Sequence, residues 1–374
     1  MPPLSRRSFL SSVAAAGVAA PLARDRLTGI DLPAAKPLKI LVLGGTAFLG
    51  PPFVRAALAN GHTVTLFNRG KTNPGLFAEL EQLRGDREKG DLASLAGREF
   101  DVVVDTSGYV PAHVEATARL FAEKAKHYQF VSSVSVYGAF GERADTVDET
   151  SDVGEVADDK VEGIGTIRQA MPFYGPLKAR CEAAAEAVMP GRVSRIRPGL
   201  IVGPGDRSDR FTWWPVRIDR GGEVLAPGDP DGAVQFIDVR DLAEWMLHCL
   251  EQDVFGVYNA VGFAGRVSMA EMLAACKCAT AAPVTLTFAS EEFLAENQVR
   301  AWSELPVWIP REARSVIANA RAIGKGLQFR PIADTVRDTL HWARTERGDK
   351  PFASTGLRPE REQELLANWH RTTK

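Results

Sequence analysis

The run Leu38-Lys-Ile-Leu-Val-Leu-Gly-Gly45, continuing through Thr46, Ala47, Phe48 and Leu49 to Gly50, leaves few choices of fold. A short, continuous apolar run ending in glycines fits a strand buried on both faces, as in a parallel sheet covered by helices. The glycine-bearing segment Gly44, Gly45, Thr46, Ala47, Phe48, Leu49, Gly50 then leads into an apolar-periodic stretch, Phe53 to Ala59. Asn60-Gly61 closes that stretch as a helix stop. Glycines between a strand and a helix let the backbone approach a pyrophosphate, whose charge rests on the helix N-terminus. The spacing is Gly-x-x-Ala-x-x-Gly, with Ala47 where a middle glycine would stand. Its place between strand and helix makes it a nucleotide-binding signal. Pro51 and Pro52 fall in the first helical turn, where missing N–H groups cost little.

The alternation continues. HTVTLFNRG reads as a second strand, LEQLRGD at 80–86 as a weaker third, DVVVDTSG at 101–108 and HYQFVSSVS at 127–135 as the next two, and RVSRIRPG at 192–199 as a sixth. HVEATARLFAEKAK between two of them reads as a helix. Strands alternating with helices predict an α/β fold built on a doubly wound parallel sheet. With 374 residues, 45% of them hydrophobic, the chain can bury a large core. After Pro198 the rhythm loosens into a Gly-, Pro- and Asp-rich stretch carrying Trp213 and Trp214, and it returns at FIDVRDLAEWMLHCLE. The expected organisation is a nucleotide-binding domain over 36–203, with 234–260 returning to it. A smaller, discontinuous cap would comprise 204–233 and 261–345, and a terminal helix would occupy the tail at 346–374. Trp213 and Trp214 are expected to pack in the cap rather than stack on a ligand.

The N-terminus, SRRSFLSSVAAAGVAAPLA, pairs Arg6 and Arg7 with Phe9, Leu10 and an Ala-rich apolar segment. It resembles a twin-arginine export signal, so residues 1–35 stand outside the fold and the expected location is periplasmic, through the Tat machinery. No run of about 18 apolar residues predicts an ordinary membrane span. The 45 basic and 47 acidic residues leave no basic excess to make nucleic acid the main partner. The six histidines are scattered, and Cys181, Cys249, Cys276 and Cys278 lack zinc spacing, so no metal site is expected.

The second strand ends Phe67-Asn68-Arg69-Gly70-Lys71. A carboxylate here normally holds the 2′-hydroxyl of NAD. Its absence, with Arg69 and Lys71 present, favours a 2′-phosphate and therefore NADP slightly over NAD.

GGTAFLG, TLFNRGKTNP and DTSGY together resemble the extended short-chain dehydrogenases/reductases of the NAD-dependent epimerase/dehydratase family. The likeness is to its atypical branch, which contains chloroplast stem-loop RNA-binding proteins and many bacterial sugar-epimerase-like proteins. It covers about residues 38 to 345 and implies a Rossmann domain binding NAD(P). It also implies that Asp86 holds the adenine amino group and that Thr106, Ser107 and Gly108 border the ribose. Ser132 would touch the cofactor, and Pro198, Leu200 and Ile201 of RPGLIVGP would lie near the nicotinamide. Tyr109, Ser135, Tyr137 and Gln235 would lie beside the substrate. In a polar loop of this chain, Arg207 and Arg210 could hold an acidic substrate group; Arg210 is counted with the substrate residues.

Tyr174 and Lys178 of YGPLK are four residues apart and share a helix face. In the family context they match a Tyr-x-x-x-Lys pair, and counting back from Tyr137-Gly138 makes Ser133 the matching hydroxyl. Hydride transfer at a carbinol carbon needs a base for the hydroxyl proton. Tyrosine, with a free pKa near 10, serves when a nearby cation favours phenolate. Lys178 would also bind the ribose, and Ser133 would orient the substrate oxygen. Val134 and Ser135 stand where the 4,6-dehydratase branch carries Asp and Glu, which argues against water elimination by that route. The leading expectation is an epimerase-type enzyme acting on a carbohydrate with tightly held NAD(P), possible as a homodimer. The alternatives are a net dehydrogenase or reductase, and an RNA-binding protein that kept the fold.

Overall fold

A computed structural model describes residues 36–138, 145–352 and 354–373. Residues 1–35, where an export signal is expected, fall outside this set. Seven strands form one sheet: β1 Lys39–Leu43, β2 Thr63–Asn68, β3 Glu81–Arg84, β4 Val102–Asp105, β5 His127–Val131, β6 Val193–Pro198 and β7 Gly256–Ala260. Their order is β3-β2-β1-β4-β5-β6-β7, and every pairing is parallel. The chain winds outward from β1 in both directions, so a crevice opens between the C-terminal ends of β1 and β4, where open α/β sheets bind ligands.

Alternation along the strands sets the two faces. Ile40 and Val42 join Phe53 and Val54 of α1 (Gly50–Ala59) and Leu242 and Met246 of α4 (Val239–Glu251) in one core. Leu41 and Leu43 join Val114 and Phe121 of α2 (Pro111–Phe121) and Cys181 and Ala185 of α3 (Tyr174–Val188) in another. This period of two, with helices on both faces, is the doubly wound arrangement. The outermost strand, β7, was not read from the sequence; its GVYNA is too short and mixed to stand out before its pairing with β6 is known.

A third core lies beyond the C-terminal strand ends. It contains Trp213, Trp214, Val224, Leu225, Met272 and Leu273, and takes in Leu200 and Val202. Gly222–Pro227 pairs in parallel with Val284–Ala289. Trp213 and Trp214 pack edge to face at 4.6 Å, and Trp214 Nε1 donates to the Pro306 carbonyl at 2.6 Å. The terminal helix Pro359–Thr372 packs into this same core through Leu365 and Leu366. Its Glu362 accepts from Arg217 at 2.6 Å and from the Leu225 N–H at 3.1 Å. Cys181, Cys249 and Cys276 are buried and Cys278 is exposed. Among the described residues no helix is long and apolar enough to cross a membrane.

Candidate active site

A cavity of about 840 Å³ runs along the strand ends, from Asn68 and Asp86 at one end to Tyr174 and Arg210 at the other. The whole glycine segment, Gly44 to Gly50, lines it. Gly44 and Gly45 hold φ of +114° and +86°. A Cβ on Gly50 would lie 2.4 Å from the Gly45 backbone, so the turn closes only without side chains there. Pro51 and Pro52 remove N–H groups from the start of α1, whose first turn carries no side-chain cap. Donors for a phosphate must then come from the loop. Among the described residues, the N–H groups of Thr46 to Leu49 meet no acceptor within the fold. This cradle fits a dinucleotide pyrophosphate.

At the end of β2, Asn68 Oδ1 accepts from Gly70 N at 2.8 Å and from Arg84, while its Nδ2 is buried without a partner. Arg69, with a side chain 41% exposed, reaches among the described residues only a distant Glu88 carboxylate at 3.8 Å. Lys71 lines the cavity beside it. Asp86 caps the short turn Arg87–Lys89, accepting from Glu88 N at 3.2 Å. Thr106 and Ser107 also line the cavity, but both hydroxyls donate to the Leu43 carbonyl, at 3.0 and 3.1 Å. They fasten β4 to β1 and present backbone to a ligand.

Arg87 was missed in the sequence. It lines the cavity, forks onto Asp105 at 2.7 and 3.0 Å, and donates to Ser107 Oγ at 2.8 Å. Tyr128 Oη donates to the same carboxylate at 2.9 Å. Burial alone would raise the Asp105 pKa, but the Arg87 charge and these hydrogen bonds prevail and lower it. The Arg-Gly-Asp-Arg motif contained the only sequence hint.

Ser133 caps the turn Val134–Val136, its Oγ accepting from Ser135 N at 3.1 Å. Tyr174 opens α3 and lines the same cavity as Ser133. Burial raises the Tyr174 pKa; the nearby Ser133 hydroxyl and the Arg210 charge act the other way. The cation felt at the phenol is therefore Arg210. Lys178, 3% exposed, donates to the carbonyls of Gly108 at 2.8 Å and Val131 at 2.6 Å, with its ammonium over the rings of Tyr109 and Phe130. Burial lowers its pKa to about 8. Two of its three N–H bonds are thus engaged, leaving one to offer a ligand. Gly108 acts through its carbonyl. Ser132 lines the cavity with a buried Oγ that has no partner among the described residues. Pro198, Leu200, Ile201, Tyr109, Ser135 and Arg210 also line it.

Two expected substrate contacts lie elsewhere. Tyr137 follows the turn after Ser133, where the chain changes direction. Its ring packs on Arg197 at 4.9 Å, and its hydroxyl donates to Asn259 at 2.6 Å, away from the cavity. Gln235 exchanges both amide hydrogen bonds with the Ile317 backbone at 2.9 Å, fixing the cap. The cavity instead gains Met171, Asp206, Ser208 and Trp302. Trp302 comes from the Trp/Pro-rich cap stretch, whose fold gave no sequence signal of facing this site. Among the described residues no cluster of metal-ligating side chains occurs.

A family model described as the NAD dependent epimerase/dehydratase family matches residues 40–260. The chain is 28% identical over 227 residues to the chloroplast stem-loop binding protein of 41 kDa b of Arabidopsis thaliana, a match covering 57% of this chain and 55% of that protein. Among solved structures it resembles human epimerase family protein SDR39U1 with NADPH, with a TM-score of 0.54 and 21% identity over 81% of this chain and 99% of that one. It also resembles the UDP-glucose 4-epimerase of Thermotoga maritima with UDP-glucose, with a TM-score of 0.58 and 16% identity over 82% and 98%. At these identities the structural likenesses establish the fold.

Proposed function

Since the chain belongs to the NAD dependent epimerase/dehydratase family, we propose that it is an NAD(P)-dependent epimerase acting at a carbohydrate C–OH. The observation that carries this reading is that Ser133, Tyr174 and Lys178 line the same cavity as the glycine cradle. The coenzyme, when bound, supplies a hydride acceptor and donor. Tyr174 takes the hydroxyl proton as the carbinol becomes a carbonyl, and returns it when the hydride comes back on the other face, so electrons and protons balance within one turnover. Ser133 positions the substrate oxygen, and the free N–H of Lys178 holds the coenzyme ribose. Asn68, Arg69, Lys71 and the neighbouring Arg84 favour a 2′-phosphate, and hence NADP over NAD.

The paired Arg6 and Arg7 support export. A reaction that consumes no reductant suits a compartment without coenzyme recycling, and the Tat route would carry the nucleotide inside the folded protein. Replacing both arginines with lysine is expected to retain the protein in the cytoplasm; unchanged periplasmic recovery rejects the signal.

The test of function has two arms. Freshly purified protein, denatured, is expected to release NAD(P) identifiable by mass spectrometry. Tyr174→Phe is expected to keep that nucleotide and lose turnover on screened sugars by about 10²–10⁴-fold. Steady release of reduced coenzyme would replace epimerisation by net oxidation, and undiminished turnover in Tyr174→Phe would sink the mechanism. The likeness to the plant stem-loop binding protein supports a second reading, RNA binding. It requires salt-sensitive RNA affinity in protein that carries no nucleotide.

A further inference from the structure

Arg210 stands apart from the other half-buried or buried arginines around the site. Arg87, Arg197, Arg217, Arg240, Arg330 and Arg347 each meet a carboxylate within 4 Å. Arg210 lines the cavity, lies over the Trp302 ring at 5.2 Å, and uses only its Nε, donating to Ser208 Oγ at 3.1 Å. Among the described residues its two terminal nitrogens meet no hydrogen-bond or ion-pair partner. A half-buried guanidinium stacked on an indole, with its fork open to the cavity, is placed to take a planar anion in two hydrogen bonds.

The surrounding loop aims it. Asp206 Oδ1 accepts from Ser208 N at 2.8 Å, and Thr355 Oγ1 donates to the Ser208 carbonyl at 3.1 Å. Arg347 forks onto Asp209 at 2.8 Å through two nitrogens, although Asp209 holds φ +57°. Trp302, at φ +63°, is held by its backbone N–H to the Trp308 carbonyl at 3.1 Å, and Gly356 N–H reaches the adjacent Ser303 carbonyl at 2.6 Å. Two strained, well-tied loops thus fix the cation and its aromatic platform.

Resting on the epimerase reading above, the geometry points to Arg210 as the receptor for a carboxylate carried by the substrate, making that substrate a sugar acid. The guanidinium fork matches a carboxylate in two parallel hydrogen bonds. Arg210 and Tyr174 line the same cavity, so one bound ligand can present its anion to the first and its carbinol to the second. Asp206, 2% exposed and with one carboxylate oxygen lacking a partner, lies within range of the same cation.

The test uses the full-length protein loaded with coenzyme. Glucuronate, galacturonate and gluconate are titrated by calorimetry against glucose, galactose and uridine diphosphate, in wild type, Arg210→Gln and Arg210→Lys. At least one acid is expected to bind more tightly than its neutral counterpart, and Arg210→Gln to weaken it about 10- to 100-fold. Arg210→Lys should restore part of the loss, and coenzyme affinity should stay unchanged in all three proteins. If no acid binds in an Arg210-dependent way, or uridine diphosphate alone does, the proposal falls. Turnover of neutral sugars through Tyr174 with no acid preference would overturn this inference and leave the epimerase reading standing. Arg210-dependent acid binding without turnover would do the reverse.

Discussion

Gly175 lies between the two residues to which YGPLK owes its chemistry, and its missing side chain sets how closely α3 meets the Ser133 turn. A Cβ there would lie 2.0 Å from the Ser135 carbonyl oxygen. A relaxed C···O contact is about 3.3 Å, so Gly175→Ala demands a relative movement of about 1.3 Å. Neither side yields freely. The turn is held by the Ser133 cap at 3.1 Å and by the Gly154 N–H on the Val136 carbonyl at 2.6 Å. The helix is held by Lys178 on Gly108 and Val131 at 2.8 and 2.6 Å. The displacement therefore falls between the Tyr174 phenol and the Ser133 hydroxyl. Alanine gains up to about 1 kcal/mol in helix propensity, but overpacking costs about 1–3 kcal/mol, so stability falls slightly. A misplacement of about 1 Å among reacting groups costs about 10²-fold in rate. Steady-state kinetics, coenzyme titration and urea unfolding on the variant separate these effects. The expected result is kcat down about 100-fold, coenzyme affinity within a few-fold of wild type, and a modest loss of stability. A folded Gly175→Ala protein with wild-type kcat would refute the reasoning.

Three further outcomes follow from the geometry. Protonated Lys178 has one N–H beyond the two given to carbonyls, and the neutral amine has none, so coenzyme affinity should fall as pH rises through about 8; Lys178→Ala should bind weakly with no such step. Arg69→Ala should weaken NADP more than NAD in parallel titrations, because a phosphate contact is lost, and equal losses would remove the 2′-phosphate assignment. Glu182→Leu would strand Arg197, which it now holds at 2.7 and 2.9 Å where both are nearly inaccessible; urea unfolding should report a loss of about 3–5 kcal/mol.

The glycine turn, the end of β2 and the Tyr-x-x-x-Lys pair were legible because each fits within a few residues. Other contacts of the cavity were not, because they join distant segments. Arg210 meets Trp302 across the cap, and Arg87 finds Asp105 only after β3 and β4 are set in the sheet. Tyr137 follows Ser135 by two residues, but a short turn sends its side chain to the other side, and periodicity says little where regular structure stops. Gln235 lies far along the chain from the cavity residues and is taken up by the Ile317 backbone.

The ties from Arg347, Thr355 and Gly356 to the Asp209, Ser208 and Ser303 backbone or side chains have a consequence in time. A ribosome delivers the chain from its N-terminus, and segments fold as they emerge. The glycine cradle and β1 to β5 precede these ties in the chain, so the loops that hold Arg210 and Trp302 stay untied until residues 347–356 have been made. A chain halted before Arg347 would keep the glycine turn and the parallel sheet and lack the ties that fix Arg210 and its aromatic platform.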